Sequence, residues 1–133
     1  MRLCVSLVIF LLLPGTSAAQ APEPPVKRAA DTKFWLTAAA LNAAMIADTK
    51  STLDVMRRCQ VCYEANPYAA PFLSHGPAVA FTAGEAFDVG VMVVAGKMKA
   101  SDNTFCRRTW WVVPIALTTG HMLAYRHNLG VAR

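Results

Sequence analysis

The sequence predicts an all-α chain: a signal peptide followed by a three-helix, membrane-embedded bundle. Three observations carry that expectation. Apolar residues make up 55 % of the 133 residues and charged residues only 16 %, where a soluble domain carries about a quarter. The apolar residues gather in one short N-terminal run and three longer runs after it. The basic residues stand in small groups between those runs: Lys27 and Arg28, Arg57 and Arg58, Lys97 and Lys99, Arg107 and Arg108. Bases placed in this way flank membrane helices. A nucleic-acid binder would gather its net charge of +5 on one face or one tail. Nucleic acid is therefore not an expected partner. Membrane lipid is, with another membrane protein as a candidate second partner.

Residues 1–19 read as an export signal. Arg2 supplies the positive start, Val5 to Leu13 is apolar apart from Ser6, and Pro14-Gly15 breaks the run. Ser17-Ala18-Ala19 offers a small-x-small site, with cleavage before Gln20. The apolar run would reach only about 15 Å as a helix, half of a ~30 Å hydrocarbon core. It suits a signal better than a permanent span, and it places the product in a bacterial inner (cytoplasmic) membrane after Sec-type export. Residues 20–33 follow as a flexible leader, kept from helix by Pro22, Pro24 and Pro25.

Residues 34–133 form the expected three-helix membrane domain. The first helix runs from about Phe34 to Met56, with Asp31 or Thr32 as its cap and Arg57-Arg58 at its close. As a span it is marginal, because 20 residues bring Asp48 and Lys50 to the membrane. The second runs from about Pro77, a good first helical residue, to Gly96. The third runs from Thr109 to about Asn128, with Trp110, Trp111 and Tyr125 near its ends as interfacial aromatics and Pro114 bending its first turns. The connections, Arg57 to Gly76 and Lys97 to Arg108, read as loops; the first holds Asn66-Pro67, Pro71 and Ser74-His75-Gly76. Two topology signals oppose each other. A cleaved signal leaves the new N-terminus outside and turns Arg57-Arg58 to the cytoplasm, whereas the four bases between Lys97 and Arg108 favour the cytoplasm themselves.

Polar residues at helical spacing inside the apolar runs are the most informative feature. Thr118, His121, Tyr125 and Asn128 form a stripe on the third helix, Glu85 and Asp88 share a face of the second with Thr82, and Asp48, Ser51 and Thr52 line one side of the first. Three helices can turn these stripes to a common axis, where Glu85 or Asp48 would pair with His121. Ionisable groups at membrane depth cost a few kcal/mol unless paired, so such a cluster marks either a hydrogen-bonded knot or a site that handles ions, protons or a small molecule. His121 and His127 are six apart, a spacing that puts them on opposite sides of a helix, without the i, i+4 geometry of a two-histidine metal site. No metal and no cofactor is expected.

Cys59-Gln60-Val61-Cys62 has the spacing of redox and zinc sites, but the strand–helix context of the first and the second ligand pair of the second are missing. In an oxidising compartment a bridge between Cys59 and Cys62, or from one of them to Cys106, is the ordinary outcome; in the cytoplasm all three would be thiols.

Glu64-Ala65-Asn66-Pro67 is a turn whose Glu side chain can accept backbone N–H groups or reach Arg57. Together with Asp48, Thr49 and Thr52 upstream, it resembles an uncharacterised prokaryotic family of small integral membrane proteins, a domain of unknown function. That family has an Asp and a Thr in its first span, a Glu-x-Asn-Pro loop and two further spans. Asp48, Thr52, Glu64, Asn66 and Pro67 carry the resemblance, over roughly Trp35 to Tyr125. The family's lysine in the second span has no counterpart; Glu85 and Asp88 stand in that segment. The resemblance implies a fold and no reaction.

Neither Gly-x-Ser-x-Gly nor Gly-x-x-x-x-Gly-Lys occurs in the sequence. The expected role is non-enzymatic, an accessory or interaction subunit with a buried polar cluster. An intramembrane enzyme or ion- and proton-handling unit using Asp48, Glu64, Glu85 and His121 is the opposing reading, and a soluble periplasmic helical bundle is a third.

Overall fold

In a computed structural model, residues 30–59, 64 and 66–131 are described. The signal peptide, most of the leader and Cys62 lie outside them. The described chain is all helical, with three long helices and two short ones: α1 (Thr32–Arg58), α2 (Ala70–Ser74), α3 (Pro77–Ala100), α4 (Thr104–Thr109) and α5 (Val112–Val131).

Local chemistry sets most of the helix ends. The Asp31 side chain caps α1 by accepting from Phe34 N at 2.9 Å, and Arg57 and Arg58 occupy the last turn, where the helix dipole is negative. Pro77 opens α3 in the first turn, as its fixed φ allows. Gly76 before it has φ +99, a conformation that glycine reaches without steric cost. The two short helices depart from the expected loops. Pro71 opens α2, and Asn103 starts α4 by accepting from Phe105 N and Cys106 N at 2.9 and 3.3 Å. The third long helix begins at Val112, not Thr109, because Trp110 and Trp111 form a turn after α4. Pro114 therefore sits in the first turn of α5, where a missing N–H costs no bond.

The contacts between helices give an up-down-up order. Asp31 meets Lys99, Asn42 meets Glu85 and Met45 meets Gly84, so α1 and α3 are antiparallel. Asp48 meets His121 and Ser51 meets Asn128, so α1 and α5 are parallel. α1 is the common element: it packs along α5 and α3, which touch each other little. Small residues permit the close approach. Ala44, Ala80 and Ala95 are buried, a Cβ on Gly84 would stand 2.7 Å from Met45 Sδ, and one on Gly96 would touch Phe34. Interfaces of this kind are common between helices in lipid.

The distribution of apolar side chains is inside-out. Among the described residues eight apolar side chains form the buried core, while eighteen large ones are exposed. Away from the cavity described below they include Val79, Val89 and Val93 on α3, and Val112, Ile115, Met122 and Leu129 on α5. An apolar exterior this extensive needs a cover. Among the described residues one helix, α3, is long and apolar enough to cross a membrane, with mean hydropathy 1.6 over its best window. Its 24 residues reach about 36 Å at ~1.5 Å per residue. α1 and α5, expected as spans, fall short on average hydropathy, because Asp48, Lys50 and Asp54 interrupt α1 and His121, Arg126, His127 and Asn128 interrupt α5.

Candidate functional site: a polar-walled cavity between three helices

Several residues that weaken α1 and α5 as independent spans are turned toward one another. His121 Nδ1 lies 2.8 Å from Asp48 Oδ2. Two turns further along α5, Asn128 Nδ2 donates to Ser51 Oγ at 3.0 Å and to Thr52 Oγ1 at 2.9 Å. Ser51 is buried and donates its own hydroxyl to the Asp48 carbonyl at 2.9 Å. The partner of His121 is thus Asp48, not Glu85. Thr118, on the same stripe, bonds back to the Pro114 carbonyl, and Tyr125 is half-buried beside it.

Because α3 and α5 both pack on α1 but touch each other little, they leave a cavity of about 1100 Å³. It is slightly larger than ordinary ligand pockets, which run to about 1,000 Å³. Asp48, Thr52 and His121 enter it from the α1–α5 seam, and Asn128 and His127 lie further along α5. His127 shares this cavity with His121, which corrects the expectation that they point to opposite sides: six residues turn a helix by a net angle of about 120°, not 180°. Met45, Gly84 and Phe87 are among the apolar wall.

Asp88 enters from α3 and is the outlier of the site. It is 4 % exposed, and among the described residues neither carboxylate oxygen has a hydrogen-bond partner. A buried carboxylate without a donor is costly and calls for an explanation.

The Glu-x-Asn-Pro turn closes one end. Glu64 Oε1 accepts from Asn66 N at 2.8 Å, and Arg57 pairs at 3.9 Å with Asp54 instead. Asn66 Oδ1 accepts from Tyr68 N at 3.0 Å, while its carbonyl accepts from Ala69 N and Ala70 N. This local network launches α2, and it brings Glu64, Asn66, Tyr68 and Phe72 to the cavity. Sequence reading found Glu64 and Asn66 but missed Tyr68 and Phe72. Their only signal was an aromatic at either side of Pro71.

The remaining candidates lie apart. Glu85 does not line the cavity with Asp88: it is exposed and accepts from Asn42 Nδ2, beside a shallow groove with Ile46 and Val89 on the other side of Met45. Cys59 is disulfide-bonded, Cys106 is half-buried on α4, and neither lines the cavity. Among the described residues no three His, Cys, Asp or Glu side chains are grouped closely enough to hold a metal ion.

A second polar contact, unforeseen in the sequence, ties the far end of the bundle. Lys99 Nζ donates to Asp31 Oδ1 and stands over the rings of Trp110 and Phe34, 4.7 and 5.9 Å from their centroids. The Lys99 ammonium, helped by the Phe34 N–H, holds the Asp31 carboxyl below the usual carboxylate range.

With this geometry in hand, comparison with protein-family models, with curated proteins and with solved structures finds no match for the chain.

Proposed function

We propose that this chain is a small membrane-embedded binding protein, an accessory subunit of the inner membrane whose cavity receives a small molecule. The observation that carries the reading is Asp88: a buried carboxylate with no internal partner, in the wall of a cavity inside a bundle with an apolar exterior. A group that costs stability and has no structural partner is the group a ligand would satisfy.

The other polar contacts support a scaffold. Asp48–His121 and Asn128–Ser51/Thr52 hold α5 on α1 and turn polar atoms away from the outside. That arrangement lets α1 and α5 lie in lipid beside α3 although their average hydropathy is low. A soluble bundle would leave in water the large apolar side chains that do not line the cavity, among them Val79, Val93, Val113 and Ile115. The resemblance to small integral membrane proteins stands with this reading, since Asp48, Thr52, Glu64 and Asn66 all border the one cavity.

Binding is favoured over catalysis by the state of the hydroxyls. Among the described residues His121 has no hydrogen bond to a hydroxyl, so the Asp48–His121 pair lacks an aligned nucleophile. Ser51 is occupied by Asp48 and Asn128, and Glu85, the third residue of the enzymatic reading, is turned away. Replacing Asp88 and His121 separately tests the assignment. Asp88→Asn is expected to give normal folded yield with loss of whatever phenotype deletion of the gene produces. His121→Ala is expected to lower folded yield. A normal phenotype with Asp88→Asn would refute the reading.

A further inference from the structure

The charge of the cavity runs against the charge of the chain. The protein is basic, with thirteen Lys and Arg against eight Asp and Glu. Among the described residues the cavity nevertheless takes three carboxylates, Asp48, Glu64 and Asp88, and no Lys or Arg. Two of the three are already engaged: Asp48 faces His121, and Glu64 accepts from its own turn. Among the described residues Asp88 is the carboxylate of the three that is buried without a hydrogen-bond partner. An anionic ligand would meet three carboxylates with only His121 and His127 to set against them, and a neutral one would leave the Asp88 charge uncompensated.

The remaining choice is between kinds of cation. A metal ion needs several donors converging on one point, and no such convergence exists among the described residues. An organic ammonium needs one carboxylate for its head and an apolar wall for its body. Phe72, Phe87, Leu73 and Leu117 supply that wall, and the two aromatic rings can also meet the cation face-on. We propose that the cavity selects an organic ammonium carried on an apolar body, with Asp88 as its carboxylate counter-ion. This rests on the reading of the chain as a membrane-embedded binding protein and names the chemical class that it binds.

The test uses the full chain in phosphatidylcholine nanodiscs with three matched probes: 4-phenylbutylamine, the neutral 4-phenylbutanol and the anionic 4-phenylbutyrate. Binding of the tritiated amine is measured by scintillation proximity, with the other two as competitors and empty nanodiscs as the partition control. The amine is expected to bind saturably, the alcohol at least tenfold more weakly, and the carboxylate not at all. Asp88→Asn is expected to weaken the amine at least tenfold while leaving the alcohol's affinity unchanged, and Asp102→Asn, outside the cavity, to change neither. Equal affinity for amine and alcohol, or amine binding indifferent to Asp88→Asn, overturns the proposal while leaving a binding protein. Absence of saturable binding by all three probes overturns the proposal and the binding reading together.

Discussion

His121 Nδ1 and Asp48 Oδ2 are 2.8 Å apart, joining α5 to the middle of α1 across 73 residues of sequence. Both side chains are mostly withdrawn from solvent, with exposures of 25 and 18 %. Truncating either leaves the other without its partner, at about 1–3 kcal/mol. His121→Ala is therefore expected to lower the thermal midpoint of the detergent-solubilised protein, and Asp48→Asn, which keeps an acceptor, to lower it less. A double-mutant cycle should return a coupling of about 0.5–3 kcal/mol; additive effects would contradict a direct pairing.

Asn128 donates to two hydroxyls on α1. Asn128→Ala removes both bonds, each worth about 0.5–1.5 kcal/mol, and Asn128→Asp replaces a donor by an acceptor beside the same oxygens. Both variants should unfold at lower denaturant than the parent, with the Asp variant the weaker of the two. Equal midpoints would place Asn128 outside the scaffold.

Asp88 should behave in the opposite sense. Its oxygens have no donor to lose, so Asp88→Asn or Asp88→Leu relieves a buried charge and is expected to be neutral or to stabilise by about 1–3 kcal/mol. Calorimetry on the ligand-free protein checks this. A large destabilisation would mean that Asp88 holds the fold together.

The Asp31–Lys99 contact predicts a pH dependence. The folded carboxyl is held below its unfolded value, so its stabilising contribution is fully present above the unfolded carboxylate pKa and is lost as pH falls through the lower, folded one. Thermal midpoints from pH 7 down to pH 3 should decline more in the parent than in Asp31→Asn. Parallel curves would exclude the contact in solution.

At Gly84 the α1–α3 approach leaves no room: an added Cβ would lie 2.7 Å from Met45 Sδ and 3.2 Å from its Cγ. Met45 is itself buried. Gly84→Ala is expected to cost about 1 kcal/mol or more and Gly84→Val more still, in the range of about 1–3 kcal/mol found for overpacking, read as reduced folded yield. Tolerance of valine would show that the two helices are further apart.

The sequence made the long helices legible because their signals are local. Asp31, Pro77 and the apolar periodicity lie within the elements they define. The polar stripe on α5 was legible for the same reason, and His121 and Asn128 emerge from it facing α1. What was not legible depends on packing across the chain. Glu85 and Asp88 share a helical face on paper, yet α1 passes between their environments, so Asn42 takes one and the cavity the other. The short helices α2 and α4 were hidden by proline and turn-forming residues, which serve as helix starts here. Lys99 looked like a flanking base, and only the fold brings Asp31, Phe34 and Trp110 around it.

What covers the apolar exterior of α3 and α5 decides whether the bundle sits in a membrane. Alkaline carbonate extraction of membranes from cells expressing the full chain measures this most directly. Lipid as the cover predicts that the protein stays in the membrane pellet and needs detergent to leave it. Release into the carbonate supernatant as a monodisperse monomer, stable in detergent-free buffer, would contradict the account.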